Sequence, residues 1–241
     1  MKAKLGGYAL WQLRDFVFER AAAIVVVNAA YLWVGHQQLT VANATLANGG
    51  EPALELGRRL LAQHLGSVWF ICALIAINGI SANDRTSGRF RLLFAKPVNV
   101  LRFYGQAFAL HGAAFMIGTV AALAVLTRMV PVNGSTLGSA LVVLLVSYLL
   151  VGGIGFLFSA IWRFDWLSTG GAFGAALYLA ASFPNARWLG ALPPFWRIFE
   201  QTELIKAGAP LDARPLLRIG AYGVACFLLG LIILKRRPLA T

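Results

Sequence analysis

The chain has 241 residues, 59% of them hydrophobic and only 12% charged. A soluble domain carries about 25% charged residues, so this chain cannot cover a water-facing surface of its size, and the lipid bilayer is its expected solvent. The net charge of +12 would point a soluble protein toward nucleic acid, but here the cations sit between apolar runs and not on one polar domain, so no nucleic-acid partner is expected.

The opening residues, MKAKLGGYALWQLRDFVFER, set Leu10, Leu13, Phe16 and Phe18 among Arg14, Asp15 and Glu19. This pattern predicts an interfacial helix over about 4–15. Asp15 and Glu19 interrupt the start before an apolar core forms, so no cleavable signal peptide is expected and the first apolar run is retained. A spanning helix needs about 20 mainly apolar residues. Six segments qualify, at about 16–35, 64–82, 103–127, 137–162, 167–183 and 216–234. None shows the period-two alternation of barrel strands, so the predicted fold is all-α, a single transmembrane domain of six helices. The fourth and fifth are joined only by RFDW (163–166) and must form a tight hairpin.

Two connections, 36–63 and 184–215, are long enough to fold. The first places Leu54, Leu56, Leu60, Leu61 and Leu65 at helical spacings. In the second, Pro193 and Pro194 are expected to start a short helix that Gly208 ends. Its apolar residues Phe195, Ile198, Phe199, Leu204 and Ile205 are expected to lie along the membrane surface.

With the N-terminus inside, 13 of the 21 Lys and Arg residues fall on the cytoplasmic side. That bias predicts a multi-pass protein of the cell (inner or plasma) membrane with both termini in the cytoplasm. Trp33, Trp188 and Trp196 near the outer ends, and Trp11, Trp162 and Trp166 near the inner ends, fit interfacial belts. Cys72 and Cys226 lie inside apolar runs and are expected to be buried free thiols.

The sequence contains no GxxxxGK[ST] phosphate loop, no HExxH and no CxxC pair. His36, His64 and His111 lie on different elements, so neither a metal nor a cofactor is expected in this chain. No Asp or Glu lies deep in a predicted span, which argues against a proton relay. Ser81, Ser159 and Ser168 lack a His or Lys partner at catalytic spacing, so the chain is not expected to be an enzyme. Small residues cluster in GGIG (152–155) and GGAFGAA (170–176). Gly152, Gly153, Gly155, Gly170 and Gly174 are therefore expected to let spans four and five pack closely against their neighbours.

The densest basic cluster is NDRTSGRFRLLFAKPVNVLRFYG (83–105), between spans two and three. It gathers Arg85, Arg89, Arg91, Lys96 and Arg102 around Asp84 and breaks at Gly88 and Pro97. A helix from about Arg85 to Phe94 would set Phe90, Leu93 and Phe94 at i, i+3 and i+4 as an apolar anchor. It would stop before Pro97. Positive-inside topology accounts for the charge but not for Gly88, the Leu92–Leu93 pair or Pro97 followed by Val98. The segment resembles the cytoplasmic loop of type-2 ABC exporter permeases, matching at Gly88, Leu92, Leu93, Pro97 and Val98, with a later match at Gly105. Arg91 stands where that family carries an acid, and Gln106 where it carries Lys. The interfacial helix, six spans, folded outer segment and terminal KRR (235–237) are similar to the same family.

The resemblance implies a membrane-spanning subunit that pairs with a second permease, identical or related, and with separate ABC ATPase subunits that bind ATP and Mg. It also implies a cytoplasmic coupling loop over 83–102, with Asp84, Arg85, Gly88, Arg89, Phe90, Arg91, Leu92, Leu93 and Pro97 at the motor. A six-helix membrane scaffold or assembly factor remains an alternative, as does a membrane enzyme, which would need polar residues such as His64, Gln106 and His111 to converge.

Overall fold

The computed structural model describes residues 10, 20–46, 53–78, 80, 99–162 and 164–236, and the side chains of the first helix as far as residue 37. Every regular element among them is helical. In chain order these are α1 (Ala22–Leu46), α2 (Ala53–Ile77), α3 (Val100–Met129), α4 (Gly134–Ile161), α5 (Asp165–Ser182), a 3-10 turn (Arg187–Ala191), α6 (Phe195–Ala207) and α7 (Ala213–Arg236). The predicted interfacial helix and the 83–97 part of the basic loop lie outside the described residues, apart from Leu10.

Four helices, α2, α3, α4 and α7, are long and apolar enough to cross a membrane. The shortest of the four has 24 residues, about 36 Å of helix against a hydrocarbon core of about 30 Å. Ile117, Val142, Leu145, Leu217, Leu228 and Ile232 on these helices point away from the core and are well exposed. Large apolar side chains exposed along such long apolar helices suit lipid and not water. The chain is a helical membrane protein.

The helix ends follow local chemistry. Asn99 caps α3, its side-chain oxygen accepting from the backbone N–H groups of Leu101 (3.0 Å) and Arg102 (3.3 Å). The cap starts this helix nearly a turn before the expected residue 103. Asp165 opens α5 and accepts from the Trp166 N–H at 2.8 Å, and Asp212 caps α7 by accepting from the Arg214 N–H at 3.0 Å. Lys235 and Arg236 close α7, where cations suit the negative end of the helix dipole. α6 runs between Pro194 and Gly208, the latter left-handed at φ 70°. The Gly208 N–H returns to Ile205 O and the Ala209 N–H to Leu204 O, the paired bonds of a Schellman cap.

The segment 36–63 is largely taken up by helix ends. α1 continues to Leu46 and α2 begins at Ala53, so only 47–52 separates them. Leu56, Leu60, Leu61 and Leu65 are buried on α2, while Leu54 is exposed. α4 is the hub, with α2, α3, α5, α6 and α7 all packed on it. Val143, Leu150, Val151 and Phe156 of α4 are fully buried. α1 packs mainly on α2 and α3.

The expectation that α6 lies along the membrane surface is corrected. Its apolar residues Phe195, Ile198 and Ile205 are buried in the protein. α6 stands antiparallel to the first half of α2: Gly208 lies against the Arg58 guanidinium, Thr202 approaches Gly66, Phe199 meets Trp69 and Phe195 meets Phe70. The aromatic residues along α2 are what draw it there. Trp69 is fully buried and makes edge contacts with Phe70, Phe173 and Phe199, while Phe70 stacks on Phe173 at 3.8 Å.

Candidate functional site

All nine residues expected at the motor (Asp84, Arg85, Gly88, Arg89, Phe90, Arg91, Leu92, Leu93 and Pro97) lie outside the described residues. The two roots of their loop are described. α2 runs into the loop through Ala73, Ala76 and Ile77, all buried, and α3 leaves it from the Asn99 cap. The end of the bundle that carries these roots is called the loop end below, and the end with the α3–α4 connection the far end.

Arg20 joins three helices at the loop end. It sits with Ala21 in a π-helical turn that leads into α1, a wide turn often found at functional positions. Its side chain is 8% exposed. Nη1 donates to the Ala76 carbonyl of α2 at 3.1 Å and lies 3.4 Å from His111 Nε2 on α3. An ionisable side chain buried in a span is costly and usually marks function. Here the guanidinium ties the start of α1 to both helices that frame the basic loop. Arg20 and His111 lie on different elements of the sequence, and only the fold brings them together.

The same face of α1 continues as a polar seam. Asn28 lies two turns beyond Arg20, is 3% exposed, and donates to Ile24 O (2.8 Å) and Cys72 Sγ (3.4 Å). Its Oδ1 has no partner. Tyr31 meets His64 edge-on at 6.1 Å. Beside this pair a partly open pocket of about 30 Å³ is lined by Tyr31, Gly35, Leu60, Gln63, His64 and Leu126. His64 and His111 attach to residues 31 and 20 of the first helical run, about 16 Å apart along it, so the two histidines do not form one polar centre. Among the described residues no three His, Cys, Asp or Glu side chains converge to hold a metal ion.

The small residues divide into two groups. A Cβ on Gly152 would lie 3.0 Å from Phe108, and one on Gly155 would lie 2.9 Å from Ile77. A Cβ on Gly153 would run into the carbonyl of Gly223, and one on Gly223 into that of Leu149. The backbones of α4 and α7 therefore touch, as small residues in membrane helices allow. Gly170 and Gly174 behave otherwise: a Cβ at either meets nothing within 4 Å. Within this chain neither glycine sits at a helix contact. Gly223 and Gly230 were missed. Their seven-residue spacing puts both on one face of α7, where Gly230 faces Phe156.

No protein-family model, curated protein or solved structure matches this chain.

Proposed function

We propose that the chain is the membrane-spanning permease subunit of an ATP-driven ABC exporter. It forms the translocation path and is coupled through the 83–97 loop to a separate ATPase subunit. In this reading α1 and α5 complete six spans, the loop end faces the cytoplasm with both termini, and a second permease, identical or related, brings the total to twelve. The chain itself hydrolyses nothing; ATP and Mg belong to the partner.

The observation that carries the reading is the pattern of the basic loop. Gly88, Leu92–Leu93 and Pro97–Val98 punctuate a run of cations between two helices, and positive-inside topology requires only the charge. The loop's roots suit a mechanical role. The last turn of α2 is buried against the bundle, Asn99 fixes the first turn of α3, and Arg20 links both helices to α1. A force on the loop would reach three spans without passing through a flexible joint at either described root.

The test is purification of the full chain from its own membranes in mild detergent. The reading expects an ATPase with a phosphate loop to accompany it in stoichiometric amount. A chain that always purifies without such a partner would be a scaffold or assembly factor instead.

A further inference from the structure

Residues 187–208 raise a problem of depth. Phe195, the first residue of α6, lies 6.0 Å from Phe70 of α2 and 5.3 Å from Phe173 of α5, ring centre to ring centre. Phe70 is seven residues from the loop end of α2, about 10 Å along the helix, and Phe173 is eight residues from the loop end of α5, about 12 Å. Half of a hydrocarbon core is about 15 Å. Both helices therefore place the start of α6 near mid-bilayer. From there α6 climbs beside α2 to the far end, where Gly208 meets Arg58.

A chain break at that depth is tolerated only inside protein or beside water. The break here is Pro193–Pro194, which has no N–H to leave unsatisfied, and Phe195 N–H returns to Pro193 O at 2.8 Å. The rest of α6 is harder to place in lipid. Phe195, Ile198, Gln201, Thr202 and Ile205 face the protein. The opposite face carries Arg197, Glu200, Glu203 and Lys206, with side chains 39–69% exposed. Arg197–Glu200 (2.7 Å) and Lys206–Glu203 (3.2 Å) neutralise each other along the helix. The face therefore needs no counter-charge from a partner protein. It does need a polar solvent, and it begins two residues above the mid-depth aromatic cluster.

We propose that the charged face of α6 lines a water-filled vestibule that opens at the far end and reaches to about half the bilayer depth. The inference rests on the proposed function in taking α5 as a span and the far end as extracellular. It gives that reading the outer part of its route. Water at mid-depth halves the apolar thickness that the polar headgroup of an amphipathic cargo must cross, while the apolar spans accommodate its tail.

Single cysteines placed in the full chain, with Cys72 and Cys226 replaced by Ala, test this with an impermeant methanethiosulfonate applied to intact cells. Asp212→Cys reports the far end. Glu200→Cys and Glu203→Cys report the vestibule, and Tyr178→Cys, about as far above the aromatic cluster on an exposed face of α5, reports lipid. Because only the thiolate reacts and it forms only in water, Glu200→Cys is expected within about tenfold of Asp212→Cys, and Tyr178→Cys at least about a hundredfold slower. Glu200→Cys and Glu203→Cys as slow as Tyr178→Cys, while Asp212→Cys reacts, would overturn the vestibule. If Asp212→Cys reacts only from the cytoplasmic face, the orientation in the proposed function fails, and the ratio of Glu200→Cys to Asp212→Cys from that face still decides the vestibule.

Discussion

Gly153→Ala, with Gly174→Ala beside it, separates the glycines that hold helices together from those that do not. The added methyl at 153 would overlap the Gly223 carbonyl, so α4 and α7 must part. α7 depends on that contact, since few of its residues besides Gly223 are buried: Ile219, Gly230, Leu231 and Leu234. Overpacking of a tight contact costs about 1–3 kcal/mol, and the better helix propensity of Ala returns up to about 1 kcal/mol. Because the methyl meets backbone and not the end of a side chain, the upper overpacking figure applies and the net loss is about 2–3 kcal/mol, which for a chain of this size lowers the melting temperature by about 4–12 °C. Gly174→Ala adds a methyl that meets nothing within 4 Å, so only propensity acts, and stability should hold or rise by up to about 1 kcal/mol. Cys72 is fully buried and Cys226 only partly so; with Cys226 replaced by Ala, a thiol-reactive dye that fluoresces on reaching Cys72 reports the unfolding of each purified variant. A Gly153→Ala protein that melts no lower than Gly174→Ala would refute the backbone contact between α4 and α7.

Other substitutions probe the seam and the α6 cap. Arg20→Met removes the buried hydrogen bond to the Ala76 carbonyl and the contact with His111 and should cost about 1–3 kcal/mol. In the double variant with His111→Leu the losses should fall short of additive by at least about 0.5 kcal/mol, as measured by thermal unfolding. Asn28→Leu removes a buried amide whose oxygen is unpartnered, so stability should change by less than about 1 kcal/mol. A large drop in stability would show that the Cys72 contact matters more than its geometry suggests. Gly208→Ala forces a Cβ into a left-handed turn and against the Arg58 guanidinium; it should cost about 1–2 kcal/mol and loosen α6, read as faster hydrogen exchange over 195–208.

Much of the local architecture is legible in the residues. Apolar length locates the four helices long enough to cross a membrane, and Pro193–Pro194 with Gly208 brackets α6, because the missing N–H groups and the left-handed cap act locally. What the sequence hides is pairing. Nothing local tells that the Leu56–Leu65 stretch continues into α2, since a six-residue connection and a long one differ only in what the helix ends can bury. The apolar stripe of α6 suits a membrane surface and a protein groove equally, and the groove wins because Trp69, Phe70 and Phe173 present aromatic rings at matching heights. GGIG and GGAFGAA look alike as strings. Only the position of α7 distinguishes Gly153, pressed against Gly223, from Gly174, which faces open space. Arg20 and His111 are 91 residues apart, and no spacing rule joins them.

The central claim is that the 83–97 loop couples a partner ATPase to the spans. Its most direct test compares ATP hydrolysis by the reconstituted complex before and after Arg85→Glu with Arg89→Glu, with the amount of bound ATPase measured in both. The account predicts that charge reversal releases the ATPase or abolishes the stimulation of its hydrolysis by the membrane subunit. Full ATPase binding with unchanged hydrolysis would contradict it.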